Sequence, residues 1–484
     1  MSKHTEIRFE EAIEEILIAS GGYTKGDPKT YDLEKALFPK DVISFISETQ
    51  AKRWDALKLL LDDKAEETLI YDLTKELTLK GSLHVLRHGF KCFGKSFRLA
   101  FFTPNSKLNQ QAWDDYEKNL LTVTRQVHFS KKNPSLSLDV LLSLNGLPIV
   151  TLELKNHMTG QTVENAIHQY KFDRQPTDPI FIFKERALVH FAVDPDSVSM
   201  TTKLEGKETY FLPFNQGYKD GAGNPPIEES GYDYRTSYLW DRVLQKDSLL
   251  DILARFMHLQ IEDKQVITQK GIIRKTKETM IFPRYHQLDV VRDLVANSRQ
   301  KGAGHNYLIQ HSAGSGKSNS IAWLAHRLSC LHNEHDEKVF DSVIVITDRR
   351  VLDQQLQDTI YQFEHKQGVV QKIDENTQQL AKALSGNVPI IISTIQKFPF
   401  IAQAIETLEK KGEEFKIDTM GKRFAVIVDE AHSSQSGESA MELRKVLNKE
   451  GIEAAIAEQI LDMDEEDLSD EAKAGLLAEM LKRP

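Results

Sequence analysis

The sequence predicts an α/β protein made of two modules in series, and three observations carry that prediction. Between residues 121 and 155 the apolar residues follow the two-residue period of strands in three runs, LTVTRQVHF, LSLDVLLSL and LPIVTLELK. From residue 281 onward, apolar strand-like runs (YLIQ, SVIVITD, VPIIIST and FAVIVDE) alternate with helix-like segments, the order that gives a parallel sheet. The chain has 484 residues, about three domains at roughly 150 residues each.

Composition narrows the class. Hydrophobic residues make up 40% and charged residues 28%, enough apolar material to build cores, so disorder of the whole chain is excluded. Lys and Arg number 62 against 72 Asp and Glu, a net charge of −10. That balance argues against a histone-like DNA binder but leaves room for a locally basic cleft. Cys92 and Cys330 lie far apart, which rules out a disulfide scaffold and a paired-cysteine zinc site and suits a reducing cytosol. The N-terminus carries Glu through its apolar stretch and reads as no signal peptide, and no apolar run is long enough to span a bilayer. The expected location is therefore cytoplasmic.

Taken in order, residues 7–20 read as a helix, with Ile7, Ala12, Ile13, Ile16 and Leu17 at helical spacing and Gly21-Gly22 as the stop. Residues 41–61 and 107–119 also read as helices, the second with Trp113, Tyr116 and Leu120 at or near one face. Asn145-Gly146 between two strand runs is a hairpin signal. RALVHFA at 186–192 reads as a buried strand. The Gly-, Pro- and Asn-rich stretch 213–236 reads as a surface linker or a DNA-contacting loop, and 237–260 as helical. The expected organisation is a first domain over 1–205, a linker and helical connector over 206–270, a second domain over 271–448, and an acidic helical tail over 449–484.

In the second module, YLIQHSAGSGKS at 307–318 runs a strand into a small, Gly-rich turn and then a helix. Gly314, Ser315 and Gly316 let backbone N–H groups close around phosphate oxygens, and the following helix N-terminus adds partial positive charge. Lys317 reaches the β and γ phosphates of ATP, and the Ser318 hydroxyl can ligate Mg²⁺. His311 stands where the usual pattern has its first Gly. Downstream, FAVIVDEAH puts Asp429 and Glu430 at a strand end; the first carboxylate suits Mg²⁺ and the second the polarising of attacking water. Together with TDRR at 347–350 and STIQK at 393–397, these segments resemble the first, RecA-like motor domain of superfamily-2 helicases and translocases. The resemblance implies that Arg349, Arg350, Thr394 and Lys397 lie along a nucleic-acid track, and that Gln287 of RYHQ reads adenine.

In the first module, Asp139 sits inside one apolar strand, and Glu153 and Lys155 in the next. Residues two apart on a strand share a face, so Glu153 and Lys155 point the same way. Charges in apolar strands are costly unless they pair or bind metal. Phosphodiester hydrolysis supplies a reason: two carboxylates gather Mg²⁺, and the lysine positions or deprotonates water or stabilises the developing charge. A plain two-residue Asn145-Gly146 loop pairs Leu144 with Leu147. That sets Asp139 opposite Leu152, one residue short of Glu153. A shared site therefore requires a three-residue loop over 145–147, or a bulge between the carboxylates.

The spacing resembles the PD-(D/E)xK nuclease core, with Asp139, Glu153 and Lys155 in its acid, acid and lysine places. The resemblance implies a further acid on the first helix, for which Glu10, Glu11 and Glu14 are candidates. It also implies a Gln-x-x-x-Tyr on the next helix: Tyr170 fits, Ala166 stands in the Gln place, and Gln169 is the nearest substitute. A nuclease-like module followed by such a motor, with FEEAIEEILIASGGY, ELKN, ALVHFAVD, TSYLW through DSLLDILARF, YHQ and VDEAHSSQSG in order, resembles the restriction (R, HsdR-type) subunit of type I restriction–modification enzymes. That implies an ATP-driven translocase and Mg²⁺-dependent endonuclease acting on unmodified double-stranded DNA, with methylase and specificity subunits as partners. Members of that family continue into a second motor domain and a methylase-docking region. The chain ends at residue 484, so the expectation is weak ATP binding, little hydrolysis, no translocation and loss of that docking. Two alternatives stay open: a non-cutting DNA-binding remnant or interaction protein, and a stand-alone DEAH-type, DNA-stimulated ATPase.

Overall fold

The computed structural model describes residues 2–104, 108–219, 221–230, 233–268, 271–347, 356, 359–361, 363, 368–373, 377–400 and 422–429. The chain divides into two compact units, one closing at His286 and the other opening at Gln287. The architecture is mixed α/β, and the second unit contains a parallel sheet.

The first helix, α1 (Ser2–Ala19), buries Phe9, Ile13 and Leu17, one residue per turn. It ends as expected: Ser20 and Gly21 both donate to Ile16 O, and Gly22 turns away at φ +78°. The helix expected over 41–61 is two helices, α2 (Pro39–Thr49) and α3 (Ala51–Leu61). The break falls at Gln50, whose side-chain amide exchanges two hydrogen bonds with the Arg98 backbone (2.9 and 2.8 Å). A residue anchored that way leaves the helical path. Then follow α4 (Ala65–Lys80), α5 (Ser82–His88), the small hairpin of β2 (Phe90–Cys92) and β3 (Lys95–Phe97), and α6 (Gln110–Glu117). Asn109 caps α6 by accepting from Ala112 N.

The main sheet of the first unit has seven strands: β1 (Tyr23–Lys25), β4 (Leu121–His128), β5 (Ser137–Leu144), β6 (Leu147–Leu154), β7 (Val189–Val193), β8 (Val198–Thr201) and β9 (Leu212–Pro213), hydrogen-bonded in that order. β1 runs parallel to β4 and β6 parallel to β7; the other neighbours are antiparallel. The β6–β7 crossover carries α7 (Val163–Phe172), which packs on β6, β7 and β8 over a cluster that includes Val127, Phe129, Leu138, Leu141, Ala166, Tyr170 and Phe181. Each such fully buried aliphatic or aromatic side chain contributes about 1.5–3 kcal/mol.

Residues 206–286 group with the first unit rather than standing apart as a connector. Thr236 Oγ1 donates to Asp194 O (2.9 Å) and Asn224 Nδ2 to Asp196 O (2.8 Å), which tie this stretch to the β7–β8 loop, and Tyr238 Oη donates to Phe214 O (2.9 Å) within it. The short helices α8 (Ile227–Ser230) and α9 (Lys246–Asp251) lie within it. The second unit was expected to begin at 271, but β10 (His258–Thr268) and β11 (Gly271–Ile281) form one antiparallel ribbon before the boundary.

The second unit opens within the first turn of the helix α10 (Tyr285–Lys301) and contains α11 (Lys317–Ser329). Its all-parallel sheet comprises β12 (Ser342–Thr347), β13 (Val370–Lys372), β14 (Ile390–Thr394) and β15 (Phe424–Val428) in the order β13-β14-β12-β15. Three of the four expected strands are therefore present. The fourth, YLIQ at 307–310, is not formed: the segment is irregular, and Leu308 is 81% exposed. Among the described residues no strand pairs with it, and an isolated strand leaves its backbone groups to water. Of the two cysteines, Cys92 is buried in β2 and Cys330 is exposed at the C-cap of α11. Among the described residues no helix is long and apolar enough to cross a membrane. The acidic tail lies outside the described residues.

Candidate active site and phosphate loop

The β5–β6 hairpin turns through two residues, Asn145 (φ +51°) and Gly146 (φ +84°), with Leu144 opposite Leu147. Two successive left-handed residues make the tight turn that Asn-Gly favours. Asn145 is held on every side: its Nδ2 donates to Leu99 O (2.8 Å) and Asn119 Oδ1 (3.0 Å), and its Oδ1 accepts from Leu120 N (2.7 Å). The turn alone would set the carboxylates on opposite faces. The register then shifts: Ser143 faces Pro148, but Leu142 faces Val150, leaving Ile149 as an extra residue on β6. Pro148, which has no N–H to give the ladder, sits beside this bulge. Beyond it Val140 faces Leu152, with Asp139 and Glu153 the next residues on the two strands. Of the two devices the sequence allowed, the bulge is the one present.

The three charged groups are buried: Asp139 and Lys155 are 8% exposed and Glu153 0%. Asp139 Oδ2 accepts from Leu154 N at 2.7 Å, across the strand pair. Lys155 N donates to Val193 O (2.9 Å), which extends the parallel ladder one residue past β6. Glu153 Oε1 accepts from Arg174 Nε at 2.7 Å, while Glu153 Oε2 is buried with no hydrogen-bond partner. Burial, and then the Asp139 charge, push the Glu153 carboxyl up to about 8, against the pull of Arg174 and Lys155.

The three N-terminal acids separate clearly. Glu10 is buried and accepts from Gln126 Nε2 (2.9 Å) and Arg125 Nε (3.1 Å). Its carboxyl is pushed up to about 7 by burial and then by Asp139, so it shares the field of the β5 aspartate. Glu14 pairs with Lys25 (2.9 Å) and Arg125 (3.3 Å), and Glu11 is 47% exposed.

Magnesium keeps several waters and takes one or two carboxylates plus phosphate oxygens rather than a full protein cage. Among the described residues no three Asp, Glu, His or Cys side chains stand close enough to cage an ion unaided. A two-carboxylate set fits the first pattern: Asp139 and Glu153 are the next residues past the paired Val140 and Leu152, the Asp139 charge acts on Glu153, and Glu153 Oε2 is buried without a hydrogen-bond partner.

Behind the acids, Tyr170 Oη and Thr151 Oγ1 share a hydrogen bond of 2.8 Å, and Thr151 Oγ1 also meets His190 Nδ1 at 2.8 Å. Burial drives His190 down to about 3, so the imidazole is neutral. Ala166 is packed in the α7 core and cannot play the Gln part. The contact to Glu153 comes instead from Arg174, not from Gln169. No local sequence signal singled out Arg174, which lies just past the end of α7.

In the second unit Gly314 (φ +75°) and Gly316 (φ +83°) adopt left-handed conformations, and Gly316 caps α11, whose first turn holds Lys317 and Ser318. Gln287 is buried and donates through Nε2 to Ser315 O (3.2 Å) and Gly316 O (2.9 Å), so the residue expected to read adenine is held at the phosphate loop. Asp429 follows β15, its N donating to Ile346 O at 2.9 Å. Thr394 ends β14, and Lys397 Nζ donates to Ile373 O. Glu430, Arg349 and Arg350 lie outside the described residues.

Comparison with known proteins matches both units in order. Residues 48–217 match the family described as type I restriction enzyme R protein N terminus, and residues 286–454 match the SWI2/SNF2 ATPase family. The type I restriction enzyme SsaAORF53P endonuclease subunit of Staphylococcus saprophyticus is 25% identical over 312 residues, covering 64% of this chain and 29% of that protein. The putative type I restriction enzyme MjaVIIIP endonuclease subunit of Methanocaldococcus jannaschii is 25% identical over 355 residues, 69% of this chain and 31% of the relative. The type I restriction enzyme HindI endonuclease subunit of Haemophilus influenzae is 24% identical over 307 residues, 62% and 26% respectively. The chain thus spans about three-tenths of the length of the curated relatives it matches.

Proposed function

We propose that this chain, a relative of type I restriction endonuclease subunits that joins an R-protein N-terminal region to a SWI2/SNF2 ATPase region, hydrolyses phosphodiesters of unmodified double-stranded DNA at Asp139, Glu153 and Lys155. The observation that carries the reading is the β6 bulge, which shifts the register so that Val140 faces Leu152 and the buried Asp139 and Glu153 come next on the two strands. Asp139 and Glu153 would hold Mg²⁺, with Glu10 as the outer acid. A cation bound there shields phosphate charge and lowers the pKa of a bound water. Lys155, on the Glu153 face of β6, would position that water, take its proton, or stabilise the phosphorane charge. The fold is read as PD-(D/E)xK-like in the first unit and RecA-like in the second.

The test is nicking of unmethylated supercoiled plasmid with Mg²⁺. Wild type is expected to nick, and Asp139→Ala and Lys155→Ala to lose at least about a hundredfold in rate. Wild type no faster than both variants would refute the reading.

The second unit is proposed to bind ATP with Mg²⁺ through Gly314, Ser315, Gly316, Lys317 and Ser318, with Gln287 at the base and Asp429 and Glu430 toward the metal and water. Binding of a fluorescent ATP analogue is expected to disappear in Lys317→Ala, whose plasmid nicking without ATP stays at the wild-type rate. Undiminished analogue binding by that variant would exclude this loop as the nucleotide site. Methylase and specificity subunits are the proposed partners, and the cytoplasm the proposed location.

A further inference from the structure

We propose that Arg174 is a positioning residue that fixes Glu153, and the gap between the two acid-bearing strands, for a divalent cation. The inference rests on the reading of Asp139 and Glu153 as cation ligands. Arg174 Nε donates to Glu153 Oε1 on β6 at 2.7 Å, and its Nη2 donates to Ser137 O on β5 at 2.8 Å. Ser137 lies two residues before Asp139, so one guanidinium bridges the strands beside both acids. The guanidinium also lies over the Phe129 ring, 5.1 Å from its centroid, and the ion pair is buried on both sides (1% and 0% exposed). A planar fork with three contacts has one orientation. It occupies Oε1 and leaves Oε2 as the coordinating oxygen.

One segment delivers both contacts to β6: Tyr170 lies in the last turn of α7, and Arg174 two residues past Phe172, where the helix ends. Thr151 and Glu153 are two apart on one face of β6, about 6.6 Å. The two contacts fall in the same order along both segments, Tyr170 on Thr151 and Arg174 on Glu153.

Positioning and simple charge competition predict opposite signs. If Arg174 were only a neighbouring positive charge, its removal would tighten cation binding. If it positions Glu153, removal weakens binding, as loss of an outer partner of a metal ligand does by about 10–100-fold. Mn²⁺ binding to the full chain, measured by calorimetry without DNA, reads this directly. Arg174→Met is expected to weaken Mn²⁺ at least about tenfold. Arg174→Lys keeps the charge but not the two-strand fork. It is expected to recover the melting midpoint while leaving affinity several-fold weaker, a split that a purely structural role would not give.

Wild-type or tighter affinity in a folded Arg174→Met overturns the proposal. If that variant does not fold, wild-type affinity in Arg174→Lys overturns it. Asp139→Ala separates the two readings. Wild type binding Mn²⁺ and Asp139→Ala not, with the Arg174 variants unchanged, refutes positioning alone. Wild type binding no better than Asp139→Ala refutes the metal site and this inference together.

Discussion

Glu153 gives one carboxylate oxygen to the Arg174 guanidinium, and the other is buried without a hydrogen-bond partner. Burial and Asp139 raise its pKa from 4.5 to about 8, and burial and Asp139 raise that of Glu10 from 4.5 to about 7. The folded chain therefore holds these protons more tightly than the unfolded chain. Without cation, its stability falls as pH rises from 4.5 through about 7 and on to about 8. A cation that takes the place of those protons binds better over the same window. Mn²⁺ is expected to raise the melting midpoint more at about pH 8 than at about pH 6; equal shifts would mean that no proton is displaced. Asp139, Glu153 and Lys155 stood out as candidates because charge inside an apolar strand differs from its neighbours. Arg174 did not: its value comes from tertiary proximity to Glu153 and Ser137, and a lone Arg after a helix has no local signature.

The hairpin joining β5 and β6 shows how far the register of an element can be read. The Asn-Gly signal gave the turn, and the alternation gave both strands, but the two together placed Asp139 and Glu153 out of step. That conflict called for a longer loop or a bulge, and the structure has the bulge, at Ile149. Gly146 is under two constraints at once: φ is +84°, and a Cβ there would lie 2.6 Å from Phe38 O. Gly146→Ala is expected to cost about 2–3 kcal/mol, seen as a lower melting midpoint, and to reduce nicking by disturbing the carboxylate register. An unchanged midpoint would show that the turn relaxes freely. The β10–β11 ribbon was not legible, because its strands mix Lys, Glu, Asp and Thr among the apolar residues and keep no clean alternation. YLIQ failed in the opposite direction: its residues have strand character, but a strand needs a neighbour, and none of the described ones pairs with it.

For the whole molecule, two α/β units in series were legible from the change in pattern near residue 281, and the boundary at His286 was not. Residues 206–286 have the Gly, Pro and polar content of a linker. They nonetheless fold onto the first unit through single buried side chains such as Phe214, Thr236 and Tyr238, which composition cannot reveal. The Lys317→Ala variant asks whether ATP binding and cutting separate as the units do. The placement of the two cysteines bears on that experiment. The Cys92 thiol is buried and pushed up to about 12, whereas Cys330 is exposed at the far end of the helix that starts at the phosphate loop. A maleimide dye at neutral pH thus attaches at Cys330, about 20 Å along that helix. The natural chain carries its own single spectroscopic handle, with no engineered thiol required.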